Sequence, residues 1–309
     1  MSAPGFGARR QGPPRRRVTV MVKHPHYVPI GAMLRNFAAM EDTIWMYQRG
    51  GKPVLQAIQN VGKQRFLYDQ ETEEGFMDLD GRAVSVMAML NSLESSRELS
   101  PETWAVVLLF VGFQAMRTPR AQDRLKEIDQ RLLRKMGDST DVIKAVEAIV
   151  ADKNWWLGRM GRLGRLAARV LEAKTMTVFR NNTAAPFLLS DDPVLLVRNG
   201  GYPATERQGL FHAHIIFPVG SRAALFLRLP EILWPRNEQK HRTVQVREAD
   251  APLVDLVNIA LMTRAGRFLF ARENSPSIAQ AFDRSRLDKS LEPLAITGLS
   301  GPPAGFPSV

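Results

Sequence analysis

Residues 100–113 read SPETWAVVLLFVGF, and the rest of the chain is interpreted outward from this segment. Ser100 is suited to cap a helix, Pro101 to occupy the first helical position, and Glu102 to place an acid in the first turn. The residues that follow are apolar on nearly every side, which is typical of a helix that is buried all round. The segment therefore predicts the central core helix of a domain.

Helical patterns surround this core helix from about residue 79 to residue 175. Arg117 lies near the end of the core helix, and Thr118-Pro119 either kinks that helix or caps a new amphipathic one. A further helical segment is predicted at roughly 140–151. The middle of the chain is therefore predicted to be a helical subregion.

From about residue 176 to residue 272 the pattern changes to short apolar runs separated by Asn, Gly and Pro. Such runs predict a mostly antiparallel sheet. The predicted strands are Thr175–Arg180, Pro186–Ser190, Pro193–Val197, Leu210–Val219, Arg222–Leu229 and Arg267–Ala271, with a helix at 251–265. Two further runs around Gly50-Gly51 predict a small N-terminal hairpin. The fold class is therefore α+β, with the helical middle section packed on the C-terminal sheet.

The positive charge is concentrated at the amino terminus. The formal net charge is +11, and residues 1–40 contain seven Lys and Arg residues and no acid. We predict a disordered basic tail at 1–17, a single α+β domain at 18–287, and a loose Pro/Gly-rich tail at 288–309. A basic tail attracts nucleic acid or an acidic protein, and it also has the simpler role of a solvated segment.

The chain has no cysteine, which excludes disulfides, thiolate zinc sites and a cysteine nucleophile. The apolar stretch Val18–Val22 is too short for a secretion signal. The run at 104–113 is about half the length that a membrane span requires. These features predict a cytoplasmic protein without a membrane span, and they leave the oligomeric state open.

A pair of histidines forms a pattern that is suited to bind a metal. His212 and His214 flank an alanine, so on a strand both side chains face the same side, about 6.5–7 Å apart. They are placed to bind one divalent metal if Asp191 or Asp192 supplies a third ligand. Two histidines at this spacing also occur on ordinary strand faces, and that interpretation stays open.

Residues 155–169 combine two tryptophans, a row of arginines and a row of glycines. On a helix the arginines share one face; they are Arg159, Arg162, Arg165 and Arg169. Each of the three glycines costs about 1 kcal/mol in a helix, so we expect close packing against another backbone to offset this cost. The arginine face is either a solvated surface or a surface that follows phosphates, with Trp155 or Trp156 stacking on bases. The tail residues Arg15, Arg16 and Arg17 would add affinity.

The segment Ser190-Asp191-Asp192-Pro193 falls at a boundary between a strand and a turn. Ser and Asp before a proline favour a turn, whereas two adjacent carboxylates are also suited to bind a cation or to act as a general base. Arg117 would be costly to bury without a carboxylate. We therefore expect Asp191 or Asp192 to be its partner, joining the helices to the sheet.

Five short motifs carry a resemblance to a known family. They are His26-Tyr27-Val28-Pro29, Leu34-Arg35-Asn36-Phe37, Arg117-Thr118-Pro119, Ser190-Asp191-Asp192-Pro193 and Phe217-Pro218. In order and spacing they resemble bacterial domain-of-unknown-function family 4238 over roughly residues 24–272. The resemblance implies no activity, but it points to His26, Tyr27, Arg117, Asp191 and Asp192 as site residues. It also implies a glutamate in the helix after the hairpin, where this chain has aspartates at 78 and 80.

Two functional hypotheses follow. The first is a nucleic-acid-directed protein, in its strongest form a nuclease-like phosphodiester enzyme. In that form His26 is the general acid or base, Arg117 stabilises phosphate, and Asp191 and Asp192 orient His26 or hold a cation. The alternative is a non-catalytic interaction protein in which the same polar residues hold the fold and the basic tail binds an acidic partner. A divalent metal is the one cofactor that the first hypothesis brings in.

Overall fold

The computed structural model describes residues 21–40, 42–135, 144, 153–197, 213–228 and 242–285. In these ranges the helices are α1 (Gln70–Ser92), α2 (Pro101–Gln114), α3 (Pro119–Lys135), α4 (Lys153–Leu171), α5 (Ala251–Arg264) and α6 (Pro276–Arg284). The strands are β1 (Thr43–Gln48), β2 (Val54–Ala57), β3 (Arg97–Glu98), β4 (Thr175–Asn181), β5 (Leu189–Ser190), β6 (Leu195–Val197), β7 (His214–Gly220), β8 (Ala223–Arg228), β9 (Thr243–Ala249) and β10 (Phe268–Ala271). This content confirms the predicted α+β class.

The strands form two sheets. The first has four strands in the order β2-β1-β10-β5, all antiparallel to their neighbours. The second has six strands in the order β3-β9-β4-β8-β7-β6, in which only the β4–β9 pair is parallel. The predicted hairpin does form, as β1 and β2. It is not a separate N-terminal unit, because β1 pairs with the C-terminal strand β10.

The Ser-Asp-Asp-Pro segment is where the chain passes from one sheet to the other. Strand β5 ends at Ser190 in the four-stranded sheet, and β6 begins at Leu195 in the six-stranded sheet. A proline cannot donate to a strand ladder, so Pro193 suits this connection. Any side chain at 191 or 192 therefore lies between the two sheets and close to both.

The six-stranded sheet is buried on both faces. Val178, Phe217 and Leu225 belong to a core that includes residues of α1, α2 and α4. Phe179 and Phe226, which face the other way, belong to a second core with residues of α5 and α6. Successive side chains of a strand point to opposite faces, and a sheet covered on both faces reads as a continuous apolar run. This explains the unbroken apolar runs in β7 and β8.

Helices α2 and α4 approach backbone to backbone. A side-chain carbon placed at Gly112 of α2 would lie 2.8 Å from both the backbone oxygen of Gly164 and the backbone nitrogen of Ala168. One placed at Gly164 would lie 2.6 Å from the ring of Phe113. The close packing expected for the glycine row is therefore confirmed at Gly164. It does not extend to Gly158, which has open space around it.

Several boundaries differ from the prediction. Helix α1 begins at Gln70, not near 79, because the Asp69 side chain accepts a hydrogen bond from the Thr72 N–H at 2.8 Å and caps the helix there. The Leu-Arg-Asn-Phe motif forms a short 3-10 helix, Leu34–Phe37. Strand β9 and helix α6 were not predicted. The segment predicted at 140–151 lies outside the described residues except for position 144, and no helix in the described ranges is long and apolar enough to cross a membrane.

Candidate functional site

Arg117 is fully buried at the end of α2, and its ion-pair partner is Asp80 of α1. Its Nη1 donates to both carboxylate oxygens of Asp80, at 2.9 and 3.1 Å, and its Nε donates to Oε1 of Gln114 at 2.6 Å. The guanidinium also lies 5.0 Å from the ring centroid of Phe76. The prediction that Asp191 or Asp192 pairs with Arg117 is therefore wrong. Asp80 is closer because α1 packs against α2, whereas the two later aspartates are held elsewhere.

The surroundings of Arg117 contain further buried polar atoms. Its Nη2, the Oε2 of Glu73 and the Nδ1 of His26 are buried without a hydrogen-bond partner in the described structure. Burial raises the pKa of Glu73, an effect that the charge of Arg117 opposes. Burial and the neighbouring charge of Lys63 lower the pKa of His26, with a smaller contribution from Arg117. His26 therefore favours the neutral imidazole, and Glu73 is an acid of α1 that the sequence analysis did not single out.

Thr118 connects the Arg-Thr-Pro motif to the Ser-Asp-Asp-Pro motif. Its hydroxyl donates to Oδ1 of Asp192 at 2.9 Å and accepts from the N–H of Ala121 at 3.1 Å. It thereby caps α3, whose first residue is Pro119. Asp192 is only 2% exposed and also accepts from both terminal nitrogens of Arg124 on α3. Asp192 therefore fixes the first two turns of α3 against the connection between the sheets.

Asp191 holds the turn between α5 and β10. Its carboxylate accepts from the backbone N–H groups of Gly266, Arg267 and Phe268 at 2.7, 2.7 and 3.0 Å. Glycine suits this approach, since a side-chain carbon at 266 would lie 3.3 Å from the carboxylate. Burial raises the pKa of Asp191 to about 6, because the loss of hydration outweighs the three donated hydrogen bonds.

The remaining motifs are joined to the same framework. The side-chain amide of Gln114 donates to the backbone oxygen of Tyr27 at 2.9 Å, and that of Asn36 donates to the backbone oxygen of Val219 at 2.8 Å. The hydroxyl of Tyr68 donates to the backbone oxygen of Arg117. The motifs that lie far apart in sequence are therefore hydrogen-bonded to one another or to helix α2.

A cleft of about 870 Å³ opens beside this framework. Three segments form its walls: the loop at 63–65, the first part of α3, and the turn at 266–268. The loop at 63–65 pairs with the His-Tyr-Val-Pro motif through an antiparallel bridge between His26 and Lys63. Tyr27 and Asp191 line the cleft, whereas His26, Arg117 and Asp192 are not among its lining residues. The structure thus brings two of the five predicted site residues to one surface.

The cleft is rich in basic side chains. They are Lys63, Arg65, Arg120, Lys126 and Arg267, against the acids Asp123, Glu127 and Asp191. Within the described ranges, no ion pair joins Lys63, Arg65, Lys126 or Arg267 to a carboxylate. The Nζ of Lys63 donates instead to neutral oxygens of Gln59 and Asn60, at 3.1 and 3.3 Å. Desolvation and the charge of Asp191 raise the pKa of the Tyr27 hydroxyl, which keeps it protonated. The surface is therefore suited to bind an anion.

The predicted arginine row on α4 is only partly exposed. Arg162, Arg165 and Arg169 are exposed, whereas Arg159 donates to both oxygens of Asp129 at 2.6 Å. The Arg159 guanidinium also lies 4.9 Å from the ring centroid of Trp155. Trp156 is 1% exposed, with its ring 5.8 Å from that of Tyr68. Trp156 is therefore unable to stack on a base, and that part of the prediction is wrong.

The predicted metal pair lies at the border of the described structure. His212 lies outside the described residues, as do Arg15, Arg16 and Arg17. His214 begins β7, and burial, followed by the charges of Lys174 and Arg228, lowers its pKa to about 4. Among the described residues, no group of three or more His, Asp or Glu side chains is placed to hold a metal ion.

The cations of the cleft were missed by sequence reasoning because they come from separate segments. Lys63 and Arg65 precede α1, Lys126 lies on α3, and Arg267 follows α5. No periodicity connects these positions, so only the tertiary fold brings them together. Lys63 and Arg65, separated by one residue, were the one local signal.

Comparison with known proteins identifies the family. No curated protein and no solved structure matches the chain. A family model described as a protein of unknown function, DUF4238, matches residues 24–275. That range covers most of the chain and contains all five motifs together with every residue that lines the cleft. The chain therefore belongs to the DUF4238 family.

Proposed function

We propose that the chain binds nucleic acid at the basic cleft. The observation that carries the proposal is the convergence of Lys63, Arg65, Lys126 and Arg267 on one concave surface without carboxylate partners in the described structure. Cations that face a cleft and have no carboxylate partner raise the local concentration of anions, and phosphates supply most of the affinity in nucleic-acid binding. The cleft is open to solvent, and its volume of about 870 Å³ falls within the usual range for ligand-binding clefts.

The motif residues support this proposal by holding the three walls of the cleft. Asp191 fixes the turn that carries Arg267. Asp192 and Thr118 fix the first turns of α3. The bridge at His26 places Lys63 beside Tyr27. These contacts favour the non-catalytic form of the proposal, in which polar motif residues build the binding surface and do no chemistry.

The nuclease-like form remains as a second candidate because of two residues. Tyr27 and Asp191 both line the cleft, and a carboxyl with a pKa of about 6 is near the range that general acid–base catalysis uses. Against it, Asp191 already accepts three backbone hydrogen bonds. In this form Tyr27 would bind the scissile phosphate, Asp191 would transfer the proton, and a divalent metal would be supplied from solution.

The binding proposal is tested with labelled single-stranded RNA and DNA across a salt series. The triple variant Lys63→Gln/Arg65→Gln/Arg267→Gln is compared with the unmodified protein. Each lost phosphate contact lowers the slope of log affinity against log salt by about 0.7 for single strands, so the triple variant is expected to lower it by about 2. An unchanged slope, or the absence of binding at low salt, contradicts the proposal.

The matched control removes three exposed arginines that do not line the cleft: Arg82→Gln, Arg97→Gln and Arg284→Gln. This variant has the same net charge as the cleft variant, and we expect it to keep the salt slope of the unmodified protein to within a few tenths. A third variant, with Gln in place of Arg162, Arg165 and Arg169, measures how much the exposed surface of α4 contributes to the salt dependence of binding. Equal losses in the cleft and control variants would show a diffuse charge effect.

The catalytic form is tested with the same labelled RNA and DNA by adding a divalent metal and measuring cleavage of the strand. Tyr27→Phe removes one hydroxyl and keeps the ring, so the fold is retained. Cleavage that disappears in this variant while binding persists supports the enzyme. Binding without cleavage in any metal supports the non-catalytic form. Binding of polyglutamate as tightly as nucleic acid would instead support an acidic protein partner. Cell fractionation separately checks the expected cytoplasmic location.

A further inference from the structure

Two Arg-Phe pairs lie at the cleft. Arg65 is followed by Phe66, and Arg267 is followed by Phe268. In each pair the guanidinium lies over the ring of its own neighbour, 5.5 Å from the centroid in the first and 5.1 Å in the second. Both arginines and Phe268 line the cleft, on different walls, whereas Phe66 is not a lining residue and adjoins the cleft through Arg65. An exposed guanidinium over an aromatic ring supplies one group for a phosphate and one for a flat apolar ligand.

Phe66 is held outward by its backbone. Its φ angle is +54°, in the left-handed region, where a bulky aromatic residue is a genuine outlier. The only other non-glycine residue with positive φ in the described ranges is Asp42, and aspartate tolerates this conformation. The Phe66 side chain is 43% exposed. A strained backbone that presents an apolar ring to water is typical of a ligand-binding position.

Phe268 presents its ring differently. It begins β10, is half-buried, and stacks on Phe270 with the ring centroids 6.5 Å apart. The hydrogen bonds that Asp191 accepts from the backbone of residues 267 and 268 fix both members of the pair. Because Phe268 also packs against the hydrophobic core, it is a rigid part of the cleft wall that fixes the position of Arg267.

We propose that the cleft takes single-stranded nucleic acid, with an unpaired base stacked on the exposed ring of Phe66 and the adjoining phosphates bound by Arg65 and Arg267. This deepens the proposed function and rests on it. Every base has an aromatic face, so stacking of this kind tolerates any sequence. A duplex hides those faces and presents only phosphates to the same cations. The inference therefore separates two ligands that have the same charge chemistry.

The test compares three labelled probes of equal length: a single-stranded DNA, its duplex, and an abasic strand that keeps every phosphate and lacks the bases. We expect the single strand to bind at least about fivefold more tightly than the abasic strand, since stacking one base on an aromatic side chain is worth about 1–3 kcal/mol. Phe66→Ala is expected to remove a factor of about five or more for the single strand and to leave abasic binding unchanged.

Two further variants keep the result decisive. Phe66→Gly removes the ring and suits a positive φ, so its melting temperature should be equal or higher while single-strand binding falls. Ile259→Ala removes an apolar side chain that is 58% exposed on α5 and should change nothing. Equal affinity for the single-stranded and abasic probes, tighter duplex binding, or unchanged binding by Phe66→Gly overturns the inference. If binding still depends on Lys63, Arg65 and Arg267 in that case, the proposed function stands. If no probe binds, both fail.

Discussion

The substitution Asp80→Asn is the most informative perturbation of the buried framework. Arg117 is fully buried, and Asp80, whose side chain is 24% exposed, is the only carboxylate within ion-pair distance of it in the described structure. Removing one partner of a buried pair typically costs about 3–5 kcal/mol, because the other charge is left uncompensated. Water reaches the partly exposed side of Asp80, so we expect a loss near the lower limit, about 3 kcal/mol.

A double-mutant cycle shows whether this loss belongs to the pair. Arg117→Met alone leaves Asp80 able to hydrate or to take up a proton, and we expect it to cost about 2 kcal/mol, mainly from the hydrogen bond lost at Gln114. The double variant Asp80→Asn/Arg117→Met has no buried cation left without a carboxylate. Its loss in free energy of unfolding should therefore be smaller than the sum of the two single losses by at least about 1 kcal/mol. As a control, the losses in free energy of unfolding caused by Arg117→Met and by Asp191→Asn should add to within about 0.5 kcal/mol when the two substitutions are combined.

The assay is urea unfolding followed by tryptophan fluorescence. Trp156 stacks on Tyr68, whose hydroxyl bonds to the backbone of Arg117, so its emission reports on this region. A loss below about 1 kcal/mol for Asp80→Asn, or additive losses in the cycle, would refute the argument from burial. Nucleic-acid binding by the folded fraction should be unchanged, because neither Asp80 nor Arg117 lines the cleft.

Three further predictions concern pH, packing and capping. The pKa of His214 is lowered from 6.5 to about 4 in the folded state. The stability that comes from keeping His214 neutral is therefore fully present above pH 6.5, and up to about 3 kcal/mol of it is lost as the pH falls toward 4. In a plot of urea midpoint against pH, His214→Gln should reduce the fall between pH 6.5 and 4. Gly112→Ala should cost about 1–3 kcal/mol by overpacking, whereas Gly75→Ala, with open space around it in α1, should gain about 0.5–1 kcal/mol; calorimetry compares them. Thr118→Val should cost about 1–3 kcal/mol, since it removes the cap of α3 and a donor to Asp192, and α3 should then exchange its amide hydrogens faster.

Elements with a strong local signal were predicted from the sequence. The core helix α2 has a cap, a proline and an apolar run over most of its length, and it was placed to within a residue or two. The β1–β2 hairpin and strands β4 and β8 are likewise bounded by turn residues. Strand β9 was missed because its burial comes from parallel pairing with β4, which lies more than sixty residues earlier. Its own sequence, TVQVREA, alternates apolar and polar residues only as far as Val246 before two adjacent charged residues, so its local strand signal is short.

Helices α1 and α6 show a different cause of error. Both carry start signals that could have been read: Asp69 caps α1, and Ser275-Pro276 begins α6. Three acids and a glycine in the first turns of α1 hide its apolar face until Phe76, so the apolar pattern becomes visible late. Periodicity then places the start too far along the chain, whereas the cap places it correctly.

The site was predicted less well than the fold, and the reason is physical. Buried polar residues such as Arg117 and Asp192 stand out in a sequence because they interrupt apolar or turn patterns, and burial obliges each of them to find a partner. The sequence shows that such a residue needs a partner but not which residue supplies it. The partner of Arg117 lies 37 residues away in the sequence, and the arginine that pairs with Asp192 lies 68 residues away. Motif residues selected in this way are therefore mostly those that hold the fold.

Residues that bind an outside ligand leave a weaker trace in the sequence. A cation that binds a phosphate needs no carboxylate partner in the protein, so Lys63, Lys126 and Arg267 resemble ordinary surface residues until the fold brings them together. What separates them from a solvated surface is that the buried motifs fix the walls on which they stand: a carboxylate that accepts three backbone hydrogen bonds at 266–268 makes the position of Arg267 rigid. Rigid placement lowers the entropy cost of binding. The contacts of Asp191, Asp192 and Thr118 and the cations of the cleft are therefore two parts of one binding site. A substitution that loosens these wall contacts without unfolding the chain should weaken binding at the cleft, unlike Asp80→Asn, which lies away from the walls.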